Sequence, residues 1–345
     1  MNKKEREPVY YSEYLQLDKI LNAQIPESSK EGIRADDEML FIIIHQAYEL
    51  WFKQILHELN IVRDIFKQEN IHENDPDTYN SVHRLKRVCR ILEVAVSQMA
   101  ILETMTPLDF LDFRDLLRPA SGFQSTQFKM IEAALGLTFE SRHGKGYYLS
   151  QLTPADVNRI KEAESQESLI VLINKWLERM PFIKNQSYWN DLTEDSEFWT
   201  SYRKAYEGSL SEPEKANLKL FDLLFTEGEE YPKERRFSPD ANRNALFIML
   251  YRDHPLLHLP YELLSTLLEI DEQLSMWRHR HIHMVQRTIG KRVGTGGSSG
   301  AEYLRAAADS HYIFKELAEL TSFLLPRHLL QKLPQALISD LGYNK

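Results

Sequence analysis

Cysteine is almost absent from this 345-residue chain: Cys89 is the only one. That excludes an internal disulfide and any cysteine-cluster metal site, and it fits a reducing, cytosolic setting. Basic charge is also short, with 42 Lys and Arg against 51 Asp and Glu for a formal net charge of −9. The chain therefore lacks the cationic footprint of a nucleic-acid binder, and an acidic ligand would need a local basic pocket. No apolar run reaches membrane-spanning length. The greasiest stretch, Met39 to Phe52, is interrupted by His45, Gln46 and Glu49, and the opening MNKKEREPVYYSEYL has no signal-like apolar core. The expectation is a cytoplasmic protein that neither enters nor spans a membrane. Glycine is scarce as well, 13 in all, yet five of these fall between Gly290 and Gly300. Backbone freedom is concentrated where a chain must bend tightly around a ligand.

What is present is a hydrophobic fraction of 43%, ample for a packed core, carried on helical periodicities. Tyr10 to Gln24 reads as one amphipathic helix with Ser12 as its cap. Asp36 or Asp37 opens a long helix to about Glu69, apolar on nearly all sides in its first half and so expected to be central. After the turn Asn74-Asp75-Pro76 a second long helix runs to Thr104, with Leu85, Val88, Leu92, Val96 and Met99 in register. Pro107 starts a shorter helix that Pro119 ends, and Ser121 or Gly122 precedes another. Thr153 to Phe237 is more polar but still helical. Periodicity returns over Asp240 to Tyr251, Pro260 begins a long helix to about Ile289, and Ala301 to Leu325 follows, stopped by Pro326 before a short helical tail. No alternating strand and no fixed-period repeat is visible, so the predicted class is all-α. Residues 1–135 and 238–345 form the expected core, with 136–237 a helical insert.

The stretch from Trp277 to Gly300, WRHRHIHMVQRTIGKRVGTGGSSG, carries the strongest local signal. At about 100° per residue, His279 and His283 share one helix face and His281 points nearly opposite. The three cannot converge on one metal. His281 lies in the apolar stripe of Ile270, Leu274, Trp277, Met284, Val285 and Thr288. Two readings stand: a core histidine satisfied by a carbonyl or carboxylate, or a metal ligand, above all an axial ligand to haem, for which one neutral imidazole and a large apolar pocket suffice. His279 and His283 read as a solvated face, since no third zinc ligand is identifiable. The loop GTGGSSG is neither a phosphate loop nor GxGxxG. It is a flexible connector, or else Thr295 with the N–H groups of Gly296 and Gly297 cradles polar groups of a ligand.

His45 sits in the other buried helix with Phe41, Ile42, Tyr48, Glu49 and Phe52 on its side. Two histidines in two apolar helices point to a sandwich around a flat ligand, against the alternative of two satisfied core histidines. Arg114, one turn after Phe110 and beside Phe113, makes a surface ion pair with Asp112 or Asp115, or captures a substrate carboxylate with both arms of its guanidinium.

Taken together, the blocks YSEYLQLDKILNAQ, DDEMLFIIIHQAYELWFKQILHEL, ILETMTPLDFLDFRDLLRPASGFQSTQF, WRHRHIHMVQR and GTGGSSG resemble the tryptophan 2,3-dioxygenase family. They span most of the chain outside roughly 136–237. The resemblance implies haem b as cofactor, with His281 as the axial ligand and Gly294 and Gly296 against the cofactor. It implies that His45 contacts the indole N–H, Arg114 pairs with the amino-acid carboxylate, Thr295 lies near the carboxylate and ammonium end, and Phe41 and Phe110 wall the indole pocket. Phe110 stands where some members carry tyrosine. Tyr11, Tyr14 and Leu15 match a helix that reaches a neighbouring subunit's pocket, so the expected assembly is a homotetramer. The implied reaction takes L-tryptophan and O2 to N-formyl-L-kynurenine by insertion of both oxygen atoms across the C2–C3 bond, the first step of tryptophan catabolism by the kynurenine pathway. A carboxylate-free indole would forfeit the charge pair with Arg114, a penalty of roughly several kcal/mol. Two alternatives keep His281 but change the rest: a haem-dependent aromatic hydroxylase of the same superfamily, and a non-catalytic haem sensor with no use for Arg114.

Overall fold

A computed structural model of the chain describes residues 7–69, 71, 75–138, 152–189, 198–225, 231–290, 305 and 311–342. Among the described residues there is no strand, and the class is all-α as predicted. The helices are α1 (Tyr11–Leu15), α2 (Leu17–Leu21), α3 (Glu27–Lys30), α4 (Asp37–Phe66), α5 (Pro76–Leu102), α6 (Pro107–Arg114) and α7 (Thr126–Leu135). After them come α8 (Pro154–Ser165), α9 (Leu169–Glu178), α10 (Gln186–Trp189), α11 (Phe198–Ser209), α12 (Ala216–Phe225), α13 (Pro239–Leu250), α14 (Pro255–Ile289), α15 (Lys315–Glu319) and α16 (Gln335–Leu341).

Three long helices, α4, α5 and α14, form the centre. Their facing stripes are Ile55, Leu59 and Val62 on α4, Leu85, Val88 and Ala95 on α5, and Leu263, Leu267, Ile270 and Leu274 on α14, all at 0% exposure. Each buried leucine, isoleucine or valine among them contributes about 1.5–3 kcal/mol relative to exposure, so this seam is a large source of stability. The starts of the helices are set by local chemistry. Asp75 accepts the Asp77 N–H at 3.0 Å ahead of Pro76. Thr106 and Asp109 exchange bonds in a capping box before Pro107, and the Ser125 hydroxyl accepts the Phe128 N–H at 3.3 Å. The buried Glu38 carboxylate accepts the N–H groups of Glu27 and Ser28, tying α3 to the start of α4.

Several boundaries differ from the sequence reading. The single helix expected over Tyr10 to Gln24 is two short ones, broken at Gln16, which takes a left-handed conformation (φ 53°). Both the Gln16 N–H and its side-chain amide donate to the Glu13 carbonyl, closing α1 there. Ser12 lies inside α1, and Tyr10 occupies the cap without a side-chain bond. None of the residues of these two helices is buried, so packing against the other described residues does not enforce a continuous helix. The long helix expected from Pro260 begins at Pro255, whose missing N–H is harmless at a first helical position. Pro260 sits within α14, forgoing one bond to Leu256 while its ring is buried. A 3-10 turn, Gly122–Gln124, separates Ser121 from α7. The helix expected over Ala301 to Leu325 is not continuous: His311–Phe314 are non-helical, and α15 passes into a 3-10 turn at Leu320–Phe323.

Within the more polar stretch, α9 packs against α13, α4 and α7, burying Leu169, Ile170, Ile173, Trp176 and Leu177, with Trp176 set edge-on to Phe66 at 5.6 Å. Gly136 ends α7 at φ 137°, and a Cβ there would overlap the Ile170 side chain. Gly136→Ala is therefore expected to cost about 2–4 kcal/mol, combining a disfavoured φ with overpacking against the fully buried Ile170. Urea unfolding reads this as a lowered midpoint; an unchanged midpoint would show that α9 yields freely.

Candidate active site

A chamber of about 500 Å³ opens between α4, α6, α7 and α14, within the range of cofactor and substrate sites. Phe41, His45, Tyr48 and Phe52 enter it from α4, Phe110 from α6, Phe128, Lys129 and Glu132 from α7, and Trp277, Arg278, His281 and Met284 from α14. Met99 and Leu102 close one side, and residues 120–125 with His311 another. The walls are largely aromatic. Phe41 lies 4.1 Å from the His45 ring and 5.7 Å from Phe110, Tyr48 meets Trp277 edge-on at 4.7 Å, and Trp277 is 6.4 Å from His281. Pairs of this kind contribute about 0.5–1.5 kcal/mol beyond area burial, and their geometry fixes the ring planes.

His45, from α4, and His281, from α14, both line this chamber. The His45 Nδ1 lies 2.7 Å from the Phe41 carbonyl one turn earlier. A carbonyl only accepts, so Nδ1 carries the proton in the neutral ring and Nε2 is left as the lone pair. Burial lowers the His45 pKa; the Phe41 bond and the Glu49 charge oppose this without overcoming it. His281 is pushed down to about 4, mainly by burial and further by His45. Its ring keeps some accessible surface because that surface faces the chamber, while the protein packed around it withholds water. Among the described residues neither ring nitrogen of His281 has a hydrogen-bond partner. The Tyr48 hydroxyl is buried and also finds no partner among them.

One end of the chamber is polar. Arg278, 6% exposed, donates to Glu132 at 2.8 Å and to the His311 carbonyl at 3.0 Å. The His311 Nδ1 lies 3.4 Å from the same Glu132 carboxylate, and the Lys129 ammonium donates to the Phe123 carbonyl.

Of the residues singled out in the sequence, Phe41, His45, Phe110 and His281 are brought together in the chamber. Arg114 is 5% exposed at the end of α6, one turn beyond Phe110, and is not among the lining residues. Tyr11 and Tyr14, each 75% exposed, and Leu15 stand on the surface and make no part of this chain's own chamber. Thr295, Gly294 and Gly296 lie outside the described residues. His279 and His283 are exposed on the far face of α14, with the His279 Nδ1 bonded to the Ser275 carbonyl. No cluster of three or more His, Cys, Asp or Glu fit for a metal ion exists among the described residues. Sequence reasoning missed Phe128, Lys129, Glu132 and His311. The first three share one amphipathic face of α7, a signal that was available; His311 had none.

Fold and chamber together define an all-α protein with a largely aromatic chamber that His45 and His281 both line. Comparison with known proteins narrows the class. The family model described as tryptophan 2,3-dioxygenase matches residues 1–324. Proteins bearing that name from Alteromonas mediterranea, Bdellovibrio bacteriovorus and Dictyostelium discoideum are 44%, 40% and 41% identical, over 99%, 98% and 97% of this chain and 99%, 99% and 88% of their own. The chain belongs to the tryptophan 2,3-dioxygenase family and is an oxidoreductase of tryptophan.

Proposed function

We propose that the chamber holds haem b with His281 as axial ligand, and that the chain converts L-tryptophan and O2 to N-formyl-L-kynurenine, opening the kynurenine route of tryptophan breakdown. The observation that carries this reading is the His281 imidazole, kept neutral in an aromatic chamber with no hydrogen bond on either nitrogen among the described residues. A neutral imidazole is the form that ligates iron, and the chamber supplies the large apolar wall that a tetrapyrrole needs. Its polar end, with Lys129, suits the carboxylates of such a group. Ferrous haem supplies the binding and activation of O2.

The chain's own residues do the rest. Phe41 and Phe110 flank the indole and exclude water. The His45 Nε2, left as acceptor by the Nδ1 bond to Phe41, takes the indole N–H and is the base available to it. Arg114 pairs with the amino-acid carboxylate, and Thr295 closes over the carboxylate and ammonium end. Tyr11, Tyr14 and Leu15, too exposed to serve their own subunit, complete a neighbour's pocket in a homotetramer. The setting is cytoplasmic.

The test is turnover of the haem-loaded ferrous protein with L-tryptophan and labelled O2. Ring-opened product with two labelled atoms is expected; a ring-intact product with one would make the chain a hydroxylase. The neutral state of His45 adds a pH dependence. Because its pKa lies below 6.5, the base is already unprotonated at pH 6.5, and the acid limb of kcat/KM falls only below that. A limb with its midpoint at or above 6.5 would place the base elsewhere.

A further inference from the structure

A metal-bound histidine is usually oriented by a hydrogen bond from its second ring nitrogen. His281 has no such bond among the described residues, so the described polar contacts that bear on its aim act through α14. One turn earlier on the same helix, Arg278 is held from two directions: its guanidinium donates to the Glu132 carboxylate of α7 at 2.8 Å and to the His311 carbonyl at 3.0 Å. The His311 ring closes the set against the same carboxylate at 3.4 Å, and all three residues are at most 6% exposed. Two turns further back, Asp271 of α14 accepts the N–H groups of Ile313 and Phe314. α14 is thus fastened to α7 and to segment 311–314 on the chamber side, immediately below His281. Chamber volume alone does not require buried charge here, because an apolar filling would pack the same seam without the penalty of desolvating an ion pair.

We propose that Arg278, clamped between Glu132 and the His311 carbonyl, is the positioning residue that sets the orientation of His281 toward the iron of the bound cofactor. The proposal rests on the haem reading above. Arg278 is not itself a ligand and need not touch substrate. The planar guanidinium serves because it reaches a carboxylate and a carbonyl at once, which a lysine ammonium does with less directional control.

The experiment uses the full-length chain loaded with haem and reduced. The iron–histidine stretching band is read by resonance Raman, and haem loss by transfer to excess apomyoglobin. In Arg278→Gln and in Glu132→Gln the band is expected to shift and broaden, and haem to leave about tenfold faster or more. Arg278→Lys should fall between these variants and the native protein. If Arg278→Gln does not fold, Glu132→Gln carries the same test with the arginine in place. A native band and native transfer rate in the glutamine variants, with only the unfolding midpoint lowered, would overturn the positioning role and leave a structural ion pair. His281→Ala measured alongside separates the two claims: a band that survives there removes His281 as ligand and the positioning role with it.

Discussion

His281→Ala is expected to abolish stable haem binding, with haem content after gel filtration falling at least ten- to a hundredfold and tryptophan turnover falling with it. Loss of an outer partner to a metal-bound histidine commonly costs that much in affinity, and loss of the ligand itself should cost more. The effect should be specific to the cofactor. His281 is only half-buried and forms no hydrogen bond among the described residues, so the folded helix loses little when the ring is removed. The apo protein should keep its helical circular dichroism and most of its unfolding free energy. His279→Ala and His283→Ala change exposed residues on the opposite face of α14 and should leave haem content intact. A normal haem spectrum in His281→Ala would mean that the iron is held by another residue.

The second large effect is expected at Arg114. Its replacement by alanine should reduce kcat/KM for L-tryptophan by roughly a hundredfold or more, corresponding to about 3 kcal/mol for breaking a desolvated carboxylate–guanidinium pair. Haem content should stay near normal, because Arg114 lies at the end of α6 and not on the chamber wall beside His281. The diagnostic is the substrate comparison: tryptamine, which lacks the carboxylate, should be affected little, so the variant's preference for tryptophan over tryptamine collapses. Steady-state kinetics with both compounds decides it. Unchanged kinetics with tryptophan would take Arg114 out of the substrate site and leave its buried position on α6 as a packing feature.

Much of this site was legible in the chain because it is written in local periodicity. The apolar surround of His45 on α4 and the separation of His281 from its two histidine neighbours both follow from the 100° step of a helix. The structure places all three as the count requires. The Arg278–Glu132–His311 cluster was not legible, because its members are 146 and 33 residues apart and each alone resembles a surface charge. The break at Gln16 was hidden for a related reason: α1 and α2 carry an amphipathic pattern, but the described residues leave none of their side chains buried. Pro260 misled because proline is a reliable helix starter in isolation, whereas here an earlier proline already occupies that position and the surrounding core holds the later one within the helix. Arg114 shows the opposite limit. The sequence left a surface ion pair and a buried guanidinium both open, and the docking of α6 buries Arg114 without making it one of the lining residues.

The central claim is that one chamber holds haem on His281 and tryptophan beside it. The visible absorption spectrum of the purified or haem-reconstituted chain, recorded in the ferrous state with and without L-tryptophan, tests it most directly. The expected result is a strong histidine-ligated haem band that is lost in His281→Ala and that shifts saturably on addition of L-tryptophan. A chain that takes up no haem, or a haem spectrum indifferent to L-tryptophan at any concentration, would contradict it.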